Sequence, residues 1–334
     1  MGVPPPGAGL DAKWHVFVID AVNGGGDARP ADRNPVTRFD RVDSYAIVER
    51  GITGCKLDLA LARAIARGSL WRAAPASDPG SASAQTETLA RLSVACAGGD
   101  EETLEFQAHP ERAVIDPRRP GLGRGGTLFF DWLDKRFGRE PGALVTGMWA
   151  LAPTQTPLDA ANWSHTPNDF DVLRVSLKGA LWSESTLEDI FVRFGVARQA
   201  AVPPARTAWH LPWPVRPRRV LSPQPVSPTG AAYVIIDRAG APRGAKLRLE
   251  MEWEDYGRFR WVVVKLDHTG HAIGELAVTT PDRATRAATT VESLDDADAV
   301  LLVGVGLPAT PGSFDPHQGE WEPHGWLLTI ASDQ

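Results

Sequence analysis

The chain has 334 residues, 43% of them hydrophobic and 23% charged, with a formal net charge of −6. Such a length suits two cores better than one, and the composition is that of a globular protein, not a disordered or fibrous one. A negative balance with scattered basic residues repels a phosphate backbone, which excludes nucleic acid as the expected partner. No apolar run approaches the ~18 to 20 residues of a membrane helix.

The opening "MGVPPPGAGLDAKW" has neither a basic n-region nor an apolar h-region, so this chain is expected to carry no signal peptide. Pro6 stands where an N-myristoylation signal wants Ser or Thr. A strand-like "HVFVID" (15–20) leads through a loop rich in Gly and Pro to the apolar "SYAIV". Next, "GCKLDLALARAIARG" (54–68) reads as a helix with Leu57, Leu61, Ala64 and Ile65 on its apolar face and Lys56, Arg63 and Arg67 on another, ended by Gly68. "SASAQTETLARL" is a second helix, running to Cys96.

Cys55 and Cys96 are the only cysteines. Two lone thiols are ordinary packing residues in a cytoplasmic protein, but at the edges of consecutive helices these two are placed as a staple across a helical hairpin. A disulfide closing about 40 residues stabilises a fold by roughly 4 kcal/mol in the chain-entropy model. It also implies an extracytoplasmic location, periplasmic or secreted.

"TLFFDWLDKRFG" (127–138) and "PGALVTGMWAL" continue the helical pattern, and "SESTLEDIFVRFGVARQA" (183–200) adds a helix with Ser185 and Glu188 as its capping box. Prolines then crowd residues 202–228 densely enough to exclude helix and central strand alike. Beyond them the period changes to two: in "AKLRLEMEWE", Leu247, Leu249, Met251 and Trp253 share one face. Six or seven short strands from "AAYVIID" onward make a β-sandwich, immunoglobulin-like or jelly-roll-like. The expected fold is therefore α+β and multidomain: a mainly α-helical N-terminal domain (12–201), a proline-rich linker (202–228) and an antiparallel β-sandwich (229–334).

Motifs for chemistry are scarce. None of the eight histidines lies in the opening helix, and there is no H-E-x-x-H and no G-x-S-x-G. "GLGRGG" (121–126) has the dinucleotide spacing but no strand before it, so it reads as a loop into the next helix. His268 and His271 flank a hairpin turn, and His317 and His324 lie in a polar loop. In "NDFDVL", Asn168 and Asp169 read as a turn, with Asp169 and Asp171 as an acid pair or part of a calcium site as the alternative. No metal or other cofactor is expected.

The order of these pieces, with "LDLALARAIARG", "SASAQTETLARL", "LFFDWLDKRFG" and "STLEDIFVRFGVAR" ahead of a sandwich, resembles secreted bacterial proteins of gluzincin-like zinc metallopeptidase build that carry a C-terminal immunoglobulin-like or pre-peptidase-like domain. In that family the first long helix bears H-E-x-x-H and a glutamate on a following helix completes the zinc shell. Here the helix offers Asp58, Leu59, Ala62 and Arg63, and Glu87 matches the third ligand without the two imidazoles or the base. The resemblance thus implies a degenerate, non-catalytic exported protein that acts by binding an unknown protein or glycan partner, or as a structural component. One alternative is a hydrolase with a non-standard site drawn from Asp58, Glu87, His165, Asp169 and Asp171. A second is a glycan or cell-surface binding protein with Trp321 and Trp326 as stacking platforms.

Overall fold

The computed structural model describes residues 13–20, 22, 25–31, 43–75, 77–96, 101–115, 120–154, 168–179, 186–200, 208–280, 284–312, 314 and 321–333. Seven α-helices and twelve strands in three sheets lie among them. No helix there is long and apolar enough to cross a membrane. The chain forms two compact units, one of residues 1–105 and 115–184, the other of residues 106–114 and 185–334.

In the first unit, β1 (Val16–Ile19), β2 (Gly26–Pro30) and β3 (Ser44–Glu49) form a sheet in the order β1-β3-β2. β1 runs parallel and β2 antiparallel to β3. Alternate burial along β3 gives the sheet a covered face, on which α1 (Cys55–Ala73) packs. Small residues permit this close approach: Ala28, Ala46 and Ala64 meet there, and a Cβ on Gly26 would stand 2.8 Å from that of Ala60. β1 is an edge strand, and all four of its apolar residues are exposed.

α2 (Pro79–Ser93) packs against α1, with Asp78 capping its first amides and Pro79 in its first turn. α3 (Glu101–Ala108) follows, and then a 3-10 turn over Pro120–Gly126 leads into α4 (Thr127–Phe137). The "GLGRGG" stretch is thus helical, not an open loop, and a Cβ on Gly123 would lie 2.5 Å from the Gly80 carbonyl. α5 (Ala143–Leu151) is capped from the preceding helix, since Asp134 accepts from the amides of Gly142 and Leu144 at 2.6 and 2.9 Å. The "NDFDVL" stretch opens α6 (Asp169–Gly179) with Asn168 as the cap, instead of making a free turn.

The second unit is a sandwich of two sheets. One has the order β10 (Arg286–Val291), β7 (Lys246–Trp253), β12 (Trp326–Asp333), β5 (Arg218–Leu221). The other runs β4 (Trp209–Leu211), β6 (Ala231–Asp237), β11 (Ala299–Leu307), β8 (Arg258–Leu266), β9 (Ala272–Val278). All pairs are antiparallel except β4 with β6. β4 and β5 lie in the proline-rich stretch and both are edge strands, the one place in a sheet that tolerates missing amide donors.

Burial separates the two sheets. β7 alternates buried and exposed because one of its faces meets water, whereas β6 and β11 are buried almost throughout. The second cover is α7 (Leu187–Ala200), which packs on β8 and β11 with Gly195 against Val303, Val305 and Ala231. Its apolar Leu187, Ile190, Phe191 and Phe194 are all buried. The helix therefore belongs to the sandwich unit, although its periodicity groups it with the helices before it. Its capping box is also one residue later than expected: Thr186 exchanges hydrogen bonds with Asp189, Glu188 pairs with Arg258, and Ser185 lies outside the described residues.

The segment Phe106–Val114 is laced onto this unit. Ala231 N–H donates to the Pro110 carbonyl at 2.7 Å, Ser227 N–H to that of Glu111 at 2.9 Å, and Val114 N–H to the Thr229 hydroxyl at 3.0 Å. Arg198 donates to the Phe106 carbonyl and stacks over its ring. A Cβ on Gly230 would fall 2.3 Å from the Glu111 carbonyl oxygen, a backbone atom that cannot swing aside. Gly230→Ala is expected to cost about 1–3 kcal/mol by overpacking and to speed hydrogen exchange at the Ala231 amide. A urea midpoint equal to the parent's would show that the segment is not held there.

Candidate functional site

The expected site begins on α1, and its buried face is not the one the periodicity suggests. Ile65 is 46% exposed while Arg63 is 6% exposed. A guanidinium goes inside only with a counter-charge. It finds one on α2: Arg63 Nε donates to Glu87 Oε2 at 2.5 Å, and Arg91 Nε donates to Glu87 Oε1 at 2.8 Å. Glu87 is fully buried, and both of its oxygens are held by cations. At the end of the helix pair, Cys55 and Cys96 are joined by a disulfide.

One turn further along α1, Arg67 presents Nε and Nη1, both buried and without a hydrogen-bond acceptor among the described residues. Its guanidinium lies 5.6 Å above the Trp71 ring. Burial lowers its pKa, an effect opposed by Asp27, deepened by Arg29 and opposed again by Asp169 and Asp78.

Asp169, at the start of α6, is buried. It accepts from Ser77 Oγ at 2.6 Å, from the Asp78 amide at 3.0 Å and from Gln85 Nε2 at 2.9 Å. Trp149 Nε1 in turn donates to Gln85 Oε1 at 2.6 Å, so α2, α5 and α6 share one polar chain inside the first unit. Desolvation raises the Asp169 pKa above the usual carboxyl range, against hydrogen bonds from Ser77 and Gln85 that lower it.

The sequence candidates have separate surroundings. Asp58 is exposed in the first turn of α1, Glu87 is enclosed between α1 and α2, Asp169 braces the α2 cap, and Asp171 lies 3.8 Å from Arg174 on its own helix. His165 lies outside the described residues, as does His317. His271 belongs to the turn between β8 and β9, where its amide donates to Asp267. Trp321 and Trp326, expected as exposed platforms, are 7% and 3% exposed; Trp326 packs edge-on against Trp261 in the core. The burial of Arg63 and of the Arg67 Nε and Nη1 atoms escaped the sequence reading, although Glu87, 24 and 20 residues beyond them on the next helix, was the available signal.

Zinc, which the family resemblance implies, does not fit these residues. A guanidinium has no lone pair to give a metal, and Glu87 has both oxygens engaged. Among the described residues no three His, Cys, Asp or Glu side chains are grouped as metal ligands.

Two measurements test this account. Arg63→Met is expected to cost about 3 kcal/mol, because it strips a buried carboxylate of one cation, while the double change with Glu87→Met recovers most of the loss. A neutral single change in urea denaturation would mean that the pair does not hold α1 to α2. For Asp169, the folded state binds the proton more tightly than the unfolded chain. Its contribution is therefore full below the ordinary carboxyl range and is lost as pH rises through the raised value. The stability difference between Asp169→Asn and the parent should accordingly move in the variant's favour as pH rises above the ordinary carboxyl range; a constant difference would remove the case for a proton held there.

Comparison with known proteins gives structures only, since no family model and no curated protein matches the chain. The pre-peptidase C-terminal domain of a collagenase from Bacillus anthracis is similar over 37% of this chain and 94% of its own, at 7% identity and a TM-score of 0.25. A periplasmic inhibitor of g-type lysozyme from Aeromonas hydrophila matches over 37% of this chain and 98% of its own, at 11% identity and a TM-score of 0.24. CorA, a surface-associated copper-binding protein of Methylomicrobium album BG8, covers the same shares at 7% identity and a TM-score of 0.25.

Proposed function

We propose that this is a non-catalytic, metallopeptidase-like exported protein that acts by binding. The observation that carries the reading is the enclosure of Glu87 by two guanidinium groups at the joint of α1 and α2. Arg63 and Arg67 stand four residues apart on α1, the spacing at which H-E-x-x-H sets its two imidazoles on one helix face, with Ala64 in the place of the base. Glu87 reaches Arg63 from the following helix, as a third zinc ligand reaches the metal. On this reading, arginine supplies the positive charge that zinc supplies in an active peptidase, and the joint keeps its electrostatic balance without a hydrolytic centre. The Cys55–Cys96 disulfide supports export, since such bonds persist in oxidising compartments.

Elemental mass spectrometry on protein purified without an affinity metal, followed by addition of zinc, tests the reading. No zinc above the buffer blank and no cleavage of a peptide library are expected. Stoichiometric zinc together with peptide hydrolysis would overturn it.

A further inference from the structure

The second unit contains a cavity of about 190 Å³ between the laced segment Phe106–Val114, the edge strand β4, the loop before β6 and the start of β12. Its size falls below the roughly 300–1,000 Å³ of clefts for drug-sized ligands, which leaves room for a single small ring. Trp209 on β4 is 37% exposed, an open aromatic face where the core tryptophans of the sandwich are closed. The lining also includes a carboxylate, an imidazole and an amide: Glu111, His109 and Gln224. Trp326 also lines the cavity, and its Nε1–H, buried, meets no acceptor among the described residues. Tyr233 contributes ring and not hydroxyl, because its O–H donates to the Gly195 carbonyl at 2.6 Å.

Charge decides the class of ligand. Glu111 is already met by His109, with Nδ1 and Oε1 3.0 Å apart, and by the field of buried Arg198. A cation would thus compete with the Arg198 guanidinium and with the His109 imidazole that already occupies one carboxylate oxygen, and an anion would meet the carboxylate. A neutral ring with one apolar face and a rim of hydroxyls satisfies both walls: its C–H face lies on an indole, and its hydroxyls donate to carboxylate and amide oxygens and accept from an N–H. The wall carrying His109 and Glu111 is fixed beforehand by the Pro110 and Glu111 carbonyl bonds to β6 and its preceding loop, so little ordering cost falls on binding.

We infer that this cavity is a carbohydrate subsite that takes one pyranose ring, with Trp209 as its platform and Glu111 and Gln224 as its hydroxyl partners. The inference rests on the reading of the protein as one that acts by binding, but it uses no residue of the α1–α2 joint. A zinc-loaded, active protein would therefore refute that reading and leave this one standing.

The test uses the full chain, with saturation-transfer NMR and tryptophan fluorescence against methyl glycosides of glucose, galactose, mannose and N-acetylglucosamine, and against tetramethylammonium as the cation probe. Binding of at least one glycoside is expected. Trp209→Ala should weaken it at least about tenfold, and Glu111→Gln should weaken it less, because the amide keeps one acceptor oxygen. Trp209 is 37% exposed on an edge strand, so its removal is expected to leave the fold intact, which circular dichroism checks. Failure of all four glycosides, binding of tetramethylammonium in their place, or undiminished binding by Trp209→Ala would each overturn the assignment.

Discussion

A carboxylate shut away from water stays charged only where cations come to it, and Glu87 has drawn two. Much of the first unit follows from that requirement. Arg63 must turn inward, which sets the rotation of α1 about its axis and leaves Ile65 in solvent. With α1 so turned, its small residues meet β2 and β3, and Arg67 comes to lie in a field shared with Asp27 and Asp169. The disulfide fixes the end of the same helix pair, so covalent and ionic restraints act on one joint from different points along it. A buried pair of this kind contributes little net stability compared with an apolar replacement.

The amino-acid pattern made elements legible where a single physical rule governs them. The strands of the sandwich were plain because β7 follows an alternation that only a one-sided sheet produces, and the dense prolines allowed strands at the edges alone. Helix faces were less plain. In α1 the alanines carry so weak a signal that leucine and isoleucine positions dominated the pattern, whereas the true buried stripe is alanine with an arginine at its centre. Periodicity counts apolar residues and has no means of registering a charge that is buried because its partner lies on another helix.

The sites show the same limit in a different form. Asp169 read as a turn former, yet it is the acceptor on which the α2 cap and Gln85 converge, contacts 84 to 92 residues distant in sequence. The expected platforms on β12 and in the loop before it are core, and the exposed tryptophan among the described residues is Trp209, on an edge strand within a stretch that looked like a linker. Exposure of a particular ring depends on which edge of which sheet it occupies, and that is a property of strand order, not of local sequence.

Residues 106–114 leave the first unit, bind along the second and return the chain to the first at residue 115. Neither unit is a continuous piece of polypeptide, so the chain crosses between them three times. During synthesis the first unit can close once residue 184 has been made, but the segment already committed to the second must then wait for β6 and the loop before it to emerge before its carbonyls find their donors. Gene fusion or deletion at any one point in the linker-like stretch would therefore divide the second unit and release no intact module. Moving either unit alone into another chain would require cutting and rejoining the polypeptide on both sides of residues 106–114.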